Sequence, residues 1–153
     1  MAVGISTTLP PLAAIAGVRL GVAQAGIKRA GRDDVLLLEL APGSTVAGVF
    51  TQNAFCAAPV TLARRHLAQT APRWLLINSG NANAGTGAAG LAAAEACCAA
   101  VAARGQGQTA QVLPFSTGVI GEPLPVAKLT AALPQAFAQL HAEHWAQAAQ
   151  AIM

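Results

Sequence analysis

Short apolar runs bounded by turn-forming residues mark the first part of the chain. Residues 18–23, 35–40 (VLLLEL) and 46–51 (VAGVFT) are each flanked by Gly, Pro or paired Asp residues. Residues 73–77 (RWLLI) and 111–115 (QVLPF) are shorter runs of the same kind. Apolar runs of this length between turn signals are typical of β-strands. The pattern therefore predicts five strands, of which residues 73–77 are expected to be buried.

Helical patterns separate and follow these strands. Pro59 begins a helical segment that extends to about residue 69. The Ala-rich residues 91–105 predict a long helix that Gly105 can end. Pro125 stands at the first position of the next predicted helix, which Pro134 is expected to interrupt. A last helical pattern runs to the end of the chain.

The composition of the chain predicts a folded protein with a partner. Hydrophobic residues make up 54% of the 153 residues and charged residues only 10%, against about 25% charged in an average soluble domain. This balance excludes intrinsic disorder. Since so few charged side chains are available to cover the surface, we expect part of that surface to be buried in an oligomer or a subunit interface.

Neither export nor membrane insertion is predicted. Every long uncharged stretch is broken by Gly, Pro, Asn or Ser, so no run reaches the ~18 apolar residues that a membrane-spanning helix needs. No basic residue precedes Arg19, and Pro10 and Pro11 interrupt the apolar stretch that a signal peptide requires. We therefore expect a cytoplasmic protein without membrane contact.

Charge and cysteine usage narrow the function classes further. The net charge of +3 comes from nine scattered Lys and Arg residues, and only four Phe and two Trp could stack on bases. This distribution argues against nucleic-acid binding. Cys56, Cys97 and Cys98 fit neither a disulfide framework nor a Cys-x-x-Cys metal site. They are expected to be reduced and mostly buried.

The remaining titratable residues do not form a recognisable catalytic or metal-binding pattern. His66 stands alone, and His141 and His144 are expected to share one exposed helical face. Their spacing lacks the His-Glu-x-x-His arrangement of zinc enzymes, so no metal is expected. Asp33 and Asp34 are interpreted as turn residues before a strand. No Ser-His-Asp or G-x-S-x-G arrangement is present.

Residues 85–90, GTGAAG, match the G-x-G-x-x-G pattern of dinucleotide-binding proteins and precede a predicted helix. Two features oppose a nucleotide site. The predicted strand ends about seven residues before Gly85, and no acidic residue lies ~20 residues further on. A non-catalytic nucleotide-binding module therefore stays an alternative of lower rank.

The same small residues suit a different chemistry. Backbone N–H groups at a glycine-rich helix start can approach an anion or a developing oxyanion, and Thr86 adds a hydroxyl donor. The alternative is a turn that only connects a strand to a helix. From the residues alone, the chain offers an oxyanion-type turn with no nucleophile for it to serve.

Five separated motifs resemble the glutamate N-acetyltransferase/ornithine acetyltransferase family of arginine biosynthesis. They occur in the family's order and span nearly the whole chain. The motifs are GIK at 26–28, VAGVFTQN at 46–53, AAPV at 57–60, INSGNANAGTG at 77–87 and PFSTGVIGEPLP at 114–125. The final residues, WAQAAQAIM, are similar to the segment that precedes the family's self-cleavage point.

The resemblance implies that residues 1–153 are the α chain of a precursor that cuts itself after Met153. The nucleophile would be a Thr at the start of a separate β chain, with its own α-amino group as base. In the family this Thr takes the acetyl group from N2-acetylornithine as an ester and passes it to glutamate. No cofactor is implied, although acetyl-CoA is a possible co-substrate.

The resemblance also assigns site residues. Thr86 and Gly87 correspond to the family's oxyanion-hole pair, and Thr117 of the S-T-G-V-I-G motif corresponds to a substrate-binding residue. Gly85 departs from many relatives, which carry Cys at that position. We expect this difference to alter packing and to leave the chemistry intact.

The fold implied by the resemblance is a layered α/β sandwich shared between α and β chains in an α2β2 assembly. The strand and helix pattern is compatible with this fold and does not by itself show it. An N-terminal-nucleophile aminopeptidase or amidase, which would also cleave itself before a Ser or Thr, is the alternative enzyme class.

Overall fold

The computed structural model describes residues 12–153, in which four strands form one sheet and four α-helices pack around it. A short 3₁₀ turn, Thr109–Gln111, precedes the last strand. The elements in chain order are β1 (Val18–Ala23), β2 (Val35–Leu40), α1 (Ala58–Gln69), β3 (Trp74–Asn81), α2 (Gly87–Gly105), β4 (Val112–Val119), α3 (Val126–Ala138) and α4 (Trp145–Ala151).

The sheet is mixed and its strands follow chain order, β1-β2-β3-β4. The first three strands are antiparallel neighbours, whereas β3 and β4 run parallel. Helix α2 makes the crossover between the two parallel strands, which is the usual connection for such a pair. The carboxyl ends of β3 and β4 therefore meet at one edge of the sheet.

Both faces of the sheet are covered by helices, which agrees with the α/β fold class. Helices α1, α2 and α3 form the main core with one face, and α4 packs on the other face with Leu20, Val22 and Leu36. Strand β2 contributes alternate residues to each side, with Val35 and Leu37 in the main core. Burial on both faces explains why its sequence is a continuous apolar run.

The predicted strands 18–23 and 35–40 are confirmed, but the predicted strand 46–51 is wrong. In the structure, residues 46–51 form no strand, and the side chain of Val49 is fully exposed. The carbonyl of Thr51 accepts a hydrogen bond from Arg64 Nη2 at 2.8 Å. An apolar run without a neighbouring strand to pair with gains nothing from an extended ladder.

The expected break at Pro134 is also wrong, because α3 continues through it to Ala138. Pro134 is exposed, so its ring lies on the outer side of the helix. A proline inside a helix costs about 3 kcal/mol. Burial of Leu129, Leu133 and Ala136 on the inner face offsets that cost, since each fully buried Leu contributes about 1.5–3 kcal/mol.

Helix α2 begins at Gly87, four residues earlier than predicted, and ends at Gly105 as expected. Its length and apolar composition would allow it to span a membrane. These two properties alone do not identify a membrane-spanning helix, because core helices of soluble proteins share them. Here its inner face packs in the main core. Pro10 and Pro11, on which the signal-peptide argument partly rests, lie outside the described residues.

Candidate functional site

The polar residues that follow the apolar part of β3 belong to the strand itself. Asn78, Ser79 and Asn81 are buried within it, so the predicted turn after residue 77 starts later than expected. Ser116 Oγ on the neighbouring strand donates to Asn78 Oδ1 at 2.7 Å, and Asn78 Nδ2 donates to the Asn81 carbonyl at 2.8 Å. The Asn78 amide, bonded to a hydroxyl and to a backbone carbonyl, thus replaces apolar packing at this end of the sheet.

A close backbone approach explains why this end is glycine-rich. Gly80 and Gly118 are paired in the parallel register, and both have positive φ angles. A Cβ at Gly118 would collide with the backbone of Gly80 and Asn81. Only glycine fits between the strands there, which allows the sheet to bulge at its carboxyl edge.

Asn83 organises the turn between β3 and α2. It is fully buried, and its φ of 46° lies in the left-handed region that Asn tolerates better than most residues. Its Nδ2 donates to the Gly90 carbonyl at 2.9 Å, and its Oδ1 accepts the Thr86 hydroxyl at 2.8 Å. Its backbone N–H donates to Asn81 Oδ1 at 2.8 Å. Asn83 therefore fixes the position of Thr86 at the start of α2.

We predict that Asn83→Ala lowers the free energy of unfolding by about 2–4 kcal/mol, because a buried donor and acceptor lose their partner in a strained turn. The measurement is denaturant unfolding of the complete protein. Asn53→Ala is the control, since Asn53 is exposed and its Oδ1 makes only a local bond to the Phe55 N–H. An equal loss in both variants would contradict the central role of Asn83.

The first turn of α2 presents backbone donors at Gly87. No side chain caps this helix, so the N–H groups of its first turn have no intrahelical partner. Gly87 is exposed and has a φ of 56°. Gly90 packs so closely against Thr86 and Asn83 that a Cβ at Gly90 would collide with the Thr86 hydroxyl and with the Asn83 side chain. Free N–H groups beside the positive end of a helix suit a developing anion.

The Thr86 hydroxyl is not free in this arrangement, because its proton is donated to Asn83. A hydroxyl has one proton to donate. To serve an oxyanion, Thr86 Oγ1 must therefore rotate its proton away from Asn83. The Gly87 N–H needs no such change.

A cleft of about 320 Å³ brings Thr117 and Met153 together. Thr117 is the register partner of Ser79, and Ser79 Oγ donates to the Ala151 carbonyl at 2.8 Å. This bond fixes the end of α4 beside the carboxyl edge of the sheet. Ile152 also lines the cleft, and both it and Met153 are exposed.

Thr86 and Gly87 do not line this cleft. Thr86 lines a smaller cavity of about 180 Å³ beside α2. The two places are linked by backbone hydrogen bonds between the segments after β3 and β4, from Ala82 N to the Val119 carbonyl and from Gly121 N to the Ala84 carbonyl, both at 2.8 Å. Thr117 and Met153 thus line the larger cleft, Thr86 lines the smaller cavity, and Gly87 is exposed beside Thr86.

The 320 Å³ cleft also contains residues that sequence reasoning did not assign. Lys28, Arg29 and Arg32 line it from the loop between β1 and β2. The GIK motif at 26–28 pointed to this loop without indicating a role for its charges. Nothing in the local sequence shows that this loop reaches the ends of β3 and β4.

The histidines and the buried cysteines do not form a site. His141 lies in a bridge with Leu20 and precedes α4, so the prediction of a helical face shared with His144 is wrong. His66 is buried, with Nδ1 2.7 Å from the Val112 carbonyl. Among residues 12–153, no group of three or more His, Cys, Asp or Glu could hold a metal ion.

All three cysteines are free, which confirms the reduced state expected for them. Cys97 and Cys98 are buried in α2, and Cys56 is half-buried. Burial raises the pKa of the Cys97 thiol to about 11. Burial, with smaller contributions from Cys97 and Glu95, raises the pKa of Cys98 further. Both thiols are therefore protonated at neutral pH and poor nucleophiles.

The GTGAAG segment occupies the turn and first helical residues of a parallel strand-helix-strand unit. Because β3 extends to Asn81, only three residues separate the strand from Gly85, which corrects the seven-residue gap expected from the sequence. Gly90 serves close packing against Thr86 and Asn83.

Comparisons with known proteins agree on one family. The ArgJ family model matches residues 19–153. The arginine biosynthesis bifunctional protein ArgJ of Methylococcus capsulatus is 66% identical over 142 residues, which are 93% of this chain and 35% of that protein. The Pseudomonas fluorescens protein of the same name is 57% identical over 153 residues, 100% of this chain and 37% of that protein. The chain thus spans little more than a third of these relatives.

Two solved structures share the fold. Ornithine acetyltransferase from Mycobacterium tuberculosis, complexed with ornithine, superposes with a TM-score of 0.80 and 39% identity over 90% of this chain and 76% of that chain. The Bacillus halodurans ArgJ structure gives a TM-score of 0.77 and 31% identity over 90% of this chain and 72% of that chain.

Proposed function

This chain belongs to the ArgJ family, and from that premise we propose that residues 1–153 are the α-chain portion of an acetyltransferase in arginine biosynthesis. The proposed reaction moves the acetyl group of N2-acetylornithine to glutamate. The observation that carries the proposal is the uncapped start of α2 at Gly87, next to Thr86, whose hydroxyl donates to the buried Asn83.

The proposed chemistry is acetyl transfer in two steps through a threonine of a separate β chain. The Thr hydroxyl attacks the acetyl carbonyl, and its proton passes through the Thr α-amino group to the leaving nitrogen. The amide bond then breaks, so that ornithine departs and the acetyl group remains on the Thr as an ester. The amino group of glutamate then attacks the ester and regenerates the hydroxyl. Each step passes through a tetrahedral oxyanion, which the Gly87 N–H and the Thr86 hydroxyl would stabilise.

The proposed cleavage point after Met153 rests on the location of Met153 in the fold. Met153 lines the same cleft as Thr117, to which we assign a substrate-binding role. The Ser79–Ala151 hydrogen bond holds the preceding residues in place. A nucleophile attached after Met153 would begin its chain beside this cleft.

A partner chain is supported by the apolar residues that remain at the surface. Val49, Phe55, Ile120 and Met153 are all exposed. Gly85 lies near Phe55 and Ile120, so part of this surface adjoins the start of α2. We propose that a β chain covers it in an α2β2 assembly, and we place the enzyme in the cytoplasm.

The test is an acetyl-transfer assay on the complete protein, expressed as one precursor and purified after processing. We expect two chains to co-purify, and acetylglutamate to form from N2-acetylornithine and glutamate. A parallel reaction with acetyl-CoA as donor shows whether that co-substrate is also used. Hydrolysis of peptides or amides without acetyl transfer would instead favour an N-terminal-nucleophile aminopeptidase or amidase.

A further inference from the structure

The loop between β1 and β2 places three cations on the cleft that contains Thr117 and Met153. Lys28 and Arg29 are exposed and Arg32 is half-buried, and all three residues line the cleft. Lys28 lies on the wall of the cleft beside Gly80. A Cβ added at Gly80 would stand 3.1 Å from the Cβ of Lys28. The absence of a side chain at Gly80 therefore lets the loop approach the end of β3.

The loop is fixed from within rather than by ion pairs of its cations. Asp34 is buried, and its carboxylate oxygens accept the backbone N–H groups of Ala25 and Ile27 at 2.7 and 2.6 Å. Lys128 Nζ on α3 donates to the Gly26 carbonyl at 2.9 Å. These bonds hold the backbone of the loop, so its basic side chains need little reorganisation to meet a ligand.

The side chains of the cleft carry a net positive charge. Asp34 is the one acidic side chain among its lining residues, against three cations, and the α-carboxylate that the proposed cleavage leaves on Met153 adds a second negative charge. Glu122 and Lys28 both line an adjoining hollow and form no ion pair with each other. Within residues 12–153 the ion pairs are Arg19–Glu39 and Arg65–Glu95, so none involves the three cations of this cleft. Unpaired cations in a concave site favour carboxylate or phosphate ligands.

We propose that Lys28, Arg29 and Arg32 bind the carboxylates of the acetyl acceptor and select glutamate over ornithine. This inference rests on the proposed function. Glutamate carries two carboxylates and one ammonium group, whereas ornithine, the competing acceptor, carries one carboxylate and two ammonium groups. A cleft with an excess of positive charge therefore favours the half-reaction with glutamate and disfavours the return of ornithine.

The test measures each half-reaction separately on the complete enzyme. In a ping-pong reaction, kcat/KM for acetylornithine reports acetylation of the enzyme, and kcat/KM for glutamate reports deacetylation. We expect Lys28→Gln and Arg32→Gln each to lower kcat/KM for glutamate about tenfold to a hundredfold, the usual effect of losing a hydrogen bond to a charged group. The value for acetylornithine should change less than about threefold. Arg104→Gln, an exposed arginine on α2, is the control and should change neither value.

A second measurement uses the unaltered enzyme, so that misfolding of a variant cannot hide the answer. Glutarate, a dicarboxylate without an amino group, should compete with glutamate, whereas butyrate at the same concentration should not. The inhibition by glutarate should weaken as salt rises, because the screening length falls from about 10 Å at 0.1 M to about 3 Å at 1 M.

The outcomes separate this inference from the proposed function. An unaltered enzyme that transfers no acetyl group overturns both. If that enzyme is active but the two variants reduce both kcat/KM values equally, or neither value, the selection of glutamate by this loop is wrong. Equal inhibition by glutarate and butyrate leads to the same conclusion.

Discussion

Thr86→Ala is expected to lower kcat for acetyl transfer by about 10²–10³-fold, the usual effect of losing one oxyanion donor. The hydroxyl would strengthen its hydrogen bond only as negative charge develops on the acetyl oxygen. Binding of the uncharged carbonyl gains little from it, so KM should remain nearly the same. The measurement is steady-state transfer from acetylornithine to glutamate, normalised to the amount of processed two-chain enzyme.

The hydrogen bond between Thr86 and Asn83 makes a purely structural role a definite alternative. If Thr86 only supports the turn, Thr86→Ala loses one bond and costs about 1 kcal/mol of stability, with turnover per folded enzyme unchanged. Thr86→Ser is the matched variant, because it keeps the hydroxyl and should keep most of the activity. Near-normal turnover by Thr86→Ala, together with a lower melting temperature, would show that the segment is scaffold.

Strands whose neighbours bury them could be predicted from local sequence. Residues 18–23 and 35–40 were predicted with the bounds that the structure shows, since turn residues flank each apolar run. Residues 46–51 are also a short apolar run beside turn residues, but the sheet offers them no partner. Pro134 shows the converse, because packing of its helix outweighs a local preference. In both cases tertiary contacts decided between structures that the local sequence allowed.

The candidate site was only partly predictable. The family motifs indicated Thr86, Gly87 and Thr117 because each lies in a distinctive run of small residues. In the structure Thr117 and Thr86 line different hollows, and the pairing of β3 with β4 beside them joins residues far apart in the sequence. The cations at 28, 29 and 32 meet the end of the chain only in the folded structure. Charge alone, scattered along the chain, could not reveal this cluster.

Asn83 illustrates a residue whose importance was hidden by composition. In the sequence it is one of several small polar residues that predict an exposed turn. In the structure it is fully buried and satisfies three hydrogen bonds. Polar residues at the end of a buried strand become buried hydrogen-bonding partners when the neighbouring strand extends beside them. A pattern of hydrophobicity does not encode this extension.

Replacing the threonine proposed to follow Met153 with alanine is expected to abolish processing of the precursor. In the proposed reaction its hydroxyl attacks the Met153 carbonyl carbon, and the peptide C–N bond breaks, which frees the threonine amino group and leaves an ester. Water then hydrolyses the ester to the Met153 carboxylate and the threonine hydroxyl. Alanine has no oxygen to form that ester.

The measurement is the mass of the purified product, with serine at the same position as the matched variant. Serine supplies a hydroxyl, so its precursor should yield a chain ending at Met153, while the alanine precursor should remain a single chain. The alanine precursor should also lose acetyl transfer entirely, since the same oxygen carries the acetyl group. Complete cleavage after Met153 in the alanine variant would mean that a separate protease makes this end, because an exposed segment after a helix is also accessible to proteases.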